Sequence, residues 1–155
     1  MTDIARPVPV LSGIHHLKIP VSDLATSLGW YERVLGARRV PQFDHITGDG
    51  RLFAYILDVP GLEMAVELRD EPTYAERLRG FDPVVFAADL LADLEGWAAH
   101  LDALGVENSG VLRGLLGWLV IFRDPDGLSI RIYSRETHEL DIENSDIASP
   151  WVAYD

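Results

Sequence analysis

The chain has no cysteine, one lysine (Lys18) and no long apolar run. Without cysteine there are no disulfides and no thiolate chemistry, which fits a reducing, cytoplasmic setting. No stretch approaches the ~20 apolar residues that a spanning helix needs, so no membrane segment is expected. The opening residues, MTDIARPVPV, lack a basic start followed by an apolar run, so no signal peptide is expected. Positive charge is also scarce: 13 Lys and Arg face 25 Asp and Glu, for a net charge of −12. Phosphate backbones need a basic surface, so nucleic acid is excluded as a partner. The charge is compatible with neutral or cationic small molecules, or serves solubility. There is no Ser-His-Asp order, no Gly-rich phosphate loop and no zinc-protease helix.

What the chain does have is one pattern twice. Residues 13–37 and 81–106 each read as an extended run, an Asp, and an amphipathic helix stopped by glycine. Such recurrence signals a duplicated module. With 155 residues and 48% hydrophobic content, both copies fit one compact domain. The expected order in each copy is β-α-β-β-β. In the first, strands are expected at 13–21, 38–46, 52–59 and 62–69, with a helix at 24–35 capped by Asp23. In the second, strands are expected at 82–88, 106–113, 116–123 and 128–134. The second helix starts at or just after Asp89 and packs through Leu94, Trp97, Ala98, Leu101 and Leu104. The organisation is therefore an arm (1–12), a first module (13–69), a polar connector (70–80), a second module (81–135) and an acidic tail (136–155). The tail is expected to lay Trp151 and Tyr154 on the body.

Strand parity adds a functional hint. One parity is apolar: Leu17, Ile19 and Val21; Met64, Val66 and Leu68; Val85 and Ala87; Ile130 and Ile132. The other carries His16, Lys18, Glu67, Asp82, Ser129 and Arg131. A sheet with helices on one face and charges on the other implies that the charged face lines something wet or functional. Phe53, Tyr55, Trp118 and Tyr133 also lie on strands, and those that face inward would form an apolar ligand wall. Of the other histidines, His45 could reach such a pocket. His15, His100 and His138 read as packed or surface groups.

Five stretches carry a family resemblance: residues 16–24 (HLKIPVSDL), 30–36 (WYERVLG), 66–68 (VEL), 104–106 (LGV) and 122–128 (FRDPDGL). Together they resemble the vicinal oxygen chelate superfamily of glyoxalases, bleomycin-resistance proteins and extradiol dioxygenases. The resemblance implies an α+β fold in which two βαβββ modules form a curled mixed sheet around a pocket, with helices outside. In metal-dependent members four ligands point into that pocket. The corresponding residues here are His16, Glu67, Asp82 and Arg131.

Arg131 departs from the pattern, because a guanidinium cannot ligate a metal. One reading is a divalent metal (Zn, Mn, Ni or Fe) held by His16, Glu67 and Asp82, with Glu67 or Asp82 moving a proton. The other is a charge cluster in which Arg131 bridges Glu67 and Asp82 and takes the place of the metal's charge. The preferred function is a bleomycin-resistance-like protein that binds a small organic molecule without a complete metal site. Its binding residues would be His16, Arg131, Tyr133, Phe53 and Trp118, and the protein would be a homodimer. The alternative is a metal-dependent lyase or isomerase of the glyoxalase kind. Arg131 argues against a dioxygenase.

Overall fold

The structure is a computed structural model that describes residues 7–153. Tyr154 lies outside the described residues. Each module builds one mixed sheet. The first module runs β1 (His16–Val21), α1 (Leu24–Leu35), β2 (Arg38–Arg39), β3 (His45–Ile46), β4 (Leu52–Asp58) and β5 (Ala65–Asp70). Its sheet has the order β1-β5-β4-β2, with β3 also on β4. The connector carries a short helix, α2 (Pro72–Arg77). The second module runs β6 (Val85–Ala88), α3 (Leu91–Ala103), β7 (Leu112–Arg113), β8 (Trp118–Arg123) and β9 (Ser129–Ser134). Its order is β6-β9-β8-β7. In both modules the first strand runs parallel to the last and forms one edge of its sheet. This is the paired α+β fold expected from the sequence.

Local chemistry explains the element ends. Asp23 accepts the Thr26 N–H at 2.7 Å and starts α1. Gly36 closes it at φ 67°, a left-handed conformation that glycine adopts without strain. Several expected strands are shorter than the pattern suggested, and of 106–113 only Leu112–Arg113 forms a strand. The run 38–46 is split by a 3-10 turn at Pro41–Phe43, because proline offers no N–H to a ladder. The run 82–88 starts only at Val85 for the same reason at Pro83. The alternation of α1 suggests a face of Leu24, Leu28, Tyr31 and Leu35, and the buried face is rotated from it. Its buried residues are Ser27, Trp30, Tyr31 and Val34, while Leu24, Leu28 and Leu35 are only partly covered.

A single core joins the modules. It unites Ile19, Val21, Val66 and Leu68 of the first sheet with Val120, Phe122, Ile130 and Ile132 of the second. Between them sit Trp30, Tyr31 and Val34 of α1 and Leu94 and Leu101 of α3. Trp30 meets Phe122 at 6.1 Å between ring centroids. The parity of β6 is the reverse of expectation. Phe86 and Ala88 pack on the core, whereas Val85 is exposed.

The Asp-Pro-Asp-Gly turn is the clasp between modules. Asp124 Oδ1 accepts the N–H groups of Asp126 (2.9 Å) and Leu128 (3.0 Å). Its Oδ2 accepts the Tyr31 hydroxyl of α1 at 2.9 Å. Asp126 Oδ2 accepts the Ser22 N–H at 3.0 Å. His100 of α3, though exposed, adds a contact at 2.9 Å to the Val34 carbonyl and so ties the two helices.

Burial first, and Asp124 second, hold the Tyr31 hydroxyl well above its ordinary pKa of 10.0. A phenol whose folded pKa is raised contributes stability that is complete below the unfolded value. That stability is lost as pH climbs toward the folded one. Unfolding free energy is therefore expected to fall above about pH 10. Tyr31→Phe should remove that alkaline limb while costing stability at neutral pH. Urea titrations from pH 7 to 11 test this, and an unchanged alkaline limb in Tyr31→Phe would refute it.

Candidate functional site

Because both sheets turn their apolar faces to one core, their other faces point away from it. The first outer face is organised by Glu67 on β5. Its side chain is 2% exposed, and four side chains gather on its two oxygens. Arg69 Nη1 donates to Oε1 at 2.9 Å. His45 Nδ1 lies 4.0 Å from Oε1. His16 Nε2 lies 3.5 Å and Lys18 Nζ 3.9 Å from Oε2. The strands dictate this grouping. Parallel pairing sets Lys18 opposite Glu67, and His16 is two residues earlier on the same face. Arg69 is two residues after Glu67 on its own strand. Phe53 joins the group as a floor: His45 meets it edge-on at 5.6 Å and the Arg69 guanidinium stacks over it at 5.0 Å. His15 contacts the His16 ring Nδ1 to Nδ1 at 3.0 Å.

The second outer face carries Arg131 and Tyr133 on β9. Arg131 Nε lies 2.6 Å from Asp82 Oδ2, with side chains 19% and 8% exposed. The Nε–H does not point at a hydrogen-bond acceptor among the described residues, so the contact is a charge pair. Tyr133 packs on the bare backbone of the β7–β8 hairpin, where a Cβ at Gly114 or Gly117 would strike its ring. The tail runs beside this sheet. His138 donates its N–H to the Leu116 carbonyl, Asp141 to Leu115 and Asp146 to Arg113. Trp151 lies under the Arg123 guanidinium at 5.1 Å, at the same end as the clasp.

Several expectations need correction. His16 and Glu67 come together, and so do Asp82 and Arg131. The two pairs do not converge within one chain, because they sit on faces that turn away from a shared core. Arg131 therefore pairs with Asp82 alone and does not bridge to Glu67. Asp82 is also one residue out of register. Val85 pairs with Arg131 as Lys18 pairs with Glu67, so Pro83 holds the place that matches His16. Trp118 is not part of the Arg131 face. It shares the parity of Val120 and Phe122, packs on the core and meets His138 at 4.9 Å.

Lys18, Arg69 and His45 were missed as partners of Glu67. The signal was present for the first two, which share the outward parity of His16 and Glu67. Among the described residues, no group of three or more His, Asp or Glu side chains could hold a metal ion. The donor set explains this. Arg69 and Lys18 bring fixed positive charge to the Glu67 carboxylate, and Arg131 does the same at Asp82. The residues present therefore do not fit a resident divalent metal within one chain.

A family profile described as the Glyoxalase/Bleomycin resistance protein/Dioxygenase superfamily matches residues 13–132. The chain belongs to that superfamily. Three solved structures share the fold. TnmS3, an antibiotic binding protein from Streptomyces sp. CB03234, is 23% identical, with 83% of this chain and 100% of that chain covered and a TM-score of 0.66. Lactoylglutathione lyase from Agrobacterium tumefaciens is 20% identical, with 81% and 95% covered and a TM-score of 0.60. A variant of the fosfomycin resistance protein FosX from Listeria monocytogenes is 17% identical, with 81% and 93% covered and a TM-score of 0.61. That variant is complexed with Mn(II) and 1S,2S-dihydroxypropylphosphonic acid. No curated protein sequence matches the chain. No helix among the described residues is long and apolar enough to cross a membrane.

Proposed function

We propose that this superfamily member binds a small organic molecule and does so without a complete metal site. The observation that carries the reading is the state of Glu67. Arg69 donates to it at 2.9 Å and Lys18 stands 3.9 Å away. A carboxylate neutralised by fixed cations is a poor metal ligand, because a divalent ion would have to displace them. The ligand would lie against His16, Lys18, His45, Arg69 and Phe53. In the homodimer we propose, Arg131 and Tyr133 of a second copy close the pocket from the other side. Two half-sites on faces that turn away from one core can meet only across two chains. TnmS3, whose fold this chain shares, is an antibiotic binding protein.

The rival is a metal-dependent lyase or isomerase that uses His16, Glu67 and Asp82. The 3.5 Å approach of His16 to Glu67 is the geometry that favours it. Elemental analysis of protein purified without chelator separates the two, with Glu67→Ala as control. The binding reading expects less than 0.1 equivalent of metal, on the order of background for a site with no complete ligand set. It also expects unchanged melting in excess chelator. Stoichiometric metal that disappears in Glu67→Ala would overturn it. A thermal-shift screen of small organic acids and antibiotics should then give hits that weaken at least ~10-fold in Arg69→Ala, the loss of one charge-assisted hydrogen bond.

A further inference from the structure

Neither half-site gives the acidic tail a role. After β9 the chain doubles back along the β7–β8 hairpin. The backbone N–H groups of His138, Asp141 and Asp146 donate to the carbonyls of Leu116 (2.8 Å), Leu115 (3.1 Å) and Arg113 (2.7 Å). β7 is the outermost strand of its sheet. The tail therefore covers an edge that would otherwise be open to another strand. Between His138 and Trp151 the apolar residues Leu140, Ile142 and Ile147 are exposed. Hydrogen bonds and ion pairs, not apolar burial, carry this attachment. Such a segment opens more readily than the core, because water can replace its contacts.

His138 stands where the attachment begins. Its ring meets Trp118 edge-on, with centroids 4.9 Å apart. Nδ1 lies 2.6 Å from the Glu139 carbonyl oxygen and Nε2 lies 3.3 Å from the Gly117 carbonyl oxygen. A carbonyl oxygen can only accept, so each ring nitrogen needs its own proton. A neutral imidazole has one N–H and would turn a lone pair toward one of the two oxygens. The imidazolium satisfies both. The charged groups around it have other partners or face water. Glu136 Oε2 accepts the Leu91 N–H at 2.7 Å, and Arg135 Nε lies 3.8 Å from Asp89. Glu139 is exposed. On the hairpin, Arg113 pairs with Asp141 at 3.3 Å. Hydrogen bonds from Asn144 hold the Asp141 carboxyl below the usual carboxylate range, so that pair keeps its charges when an imidazole changes its own.

We propose that His138 is a pH-sensitive latch: its doubly protonated ring pins the tail to the β7–β8 hairpin, and loss of one proton frees the tail from that edge. The pinned tail holds the extra proton and the free tail does not. Pinning is therefore complete on the acid side of the imidazole range and fades as pH rises through about 5–8. Release frees the carbonyls of Arg113, Leu115 and Leu116 at the edge, beside the exposed side chains of Leu115 and Leu116. The bistable element is the tail, and the charge of one ring biases it.

Hydrogen exchange of the full chain reads the latch directly. Protection factors, corrected for the intrinsic pH dependence of exchange, are measured for the amides of His138, Asp141 and Asp146 from about pH 5.5 to about pH 8. The core amides of Val120 and Phe122 on β8 serve as the reference. Relative to them, the three tail amides are expected to lose ~10-fold or more protection across that range, the effect of one charge-assisted hydrogen bond. His138→Arg carries N–H donors and a positive charge at every pH, so the step should vanish. His138→Ala has neither, so the step should vanish with the tail weakly protected throughout. Tail protection in the wild type that does not change with pH would overturn the proposal. So would a pH step that survives in either variant. The wild-type profile stands without the variants, so a variant that folds poorly does not protect the idea.

Discussion

Arg131→Glu is expected to lower the unfolding free energy by about 3–5 kcal/mol, the usual cost of breaking a buried ion pair from one side. Arg131 and Asp82 are 19% and 8% exposed and their charges lie 2.6 Å apart. Reversing one charge leaves two carboxylates facing each other where little water can reach them. The sequence pattern suggests crowding of three carboxylates, with Glu67 as the third. In the folded chain only Asp82 faces Arg131, so the penalty belongs to one pair. Arg131→Met, which keeps the bulk and removes the charge, should cost less than the reversal, because it leaves one unpaired carboxylate in place of two. Urea titrations of the three proteins at neutral pH decide the matter. Equal stability of wild type and Arg131→Glu would mean that the pair is not formed in solution.

Asp124→Ala is the second large effect. One buried carboxylate accepts the Tyr31 hydroxyl and the N–H groups of Asp126 and Leu128. Truncation orphans three donors at once. Each orphaned donor costs on the order of 1–3 kcal/mol, less where water enters, so a total of about 3–5 kcal/mol is expected. For a domain of this size that lowers Tm by roughly 6–20 °C. Asp124→Asn is the informative companion. Burial, opposed by the Tyr31 and backbone hydrogen bonds, raises the Asp124 pKa above its ordinary 3.8. A carboxyl with a raised folded pKa binds its proton more tightly when folded, so stability falls as pH rises from the unfolded value through the folded one. The amide has no such step. Asp124→Asn should flatten stability across the acid range while keeping at least one acceptor for Tyr31. Calorimetric melts from pH 3 to 7 check both variants. A loss below ~1 kcal/mol in Asp124→Ala would show that this clasp does not join the modules.

These two residues show how much of the site could be read from the chain. Asp124 announced a turn, since Asp-Pro-Asp-Gly has few other uses. Its grip on Tyr31, 93 residues away, has no local signature. Glu67 and His16 were legible because alternation in β1 and β5 is clean: apolar residues mark one face, and polar residues mark the other. In β6 that signal vanishes. Val85, Phe86, Ala87 and Ala88 are all apolar, so either parity satisfies the pattern. Only pairing with β9 selects Phe86 and Ala88 for the core. The same ambiguity displaced Asp82 by one position.

The order of helices and strands, the duplication and the outward placement of Glu67 were all carried by short-range periodicity, because hydrophobic alternation and turn chemistry act over a few residues. Which charges finally touch is another matter. Glu67 collects Arg69, Lys18, His16 and His45, while Arg131 settles on Asp82, because each sheet orients its faces against a core that both modules share. That choice depends on how two sheets pack, and packing is a sum over contacts far apart in the chain.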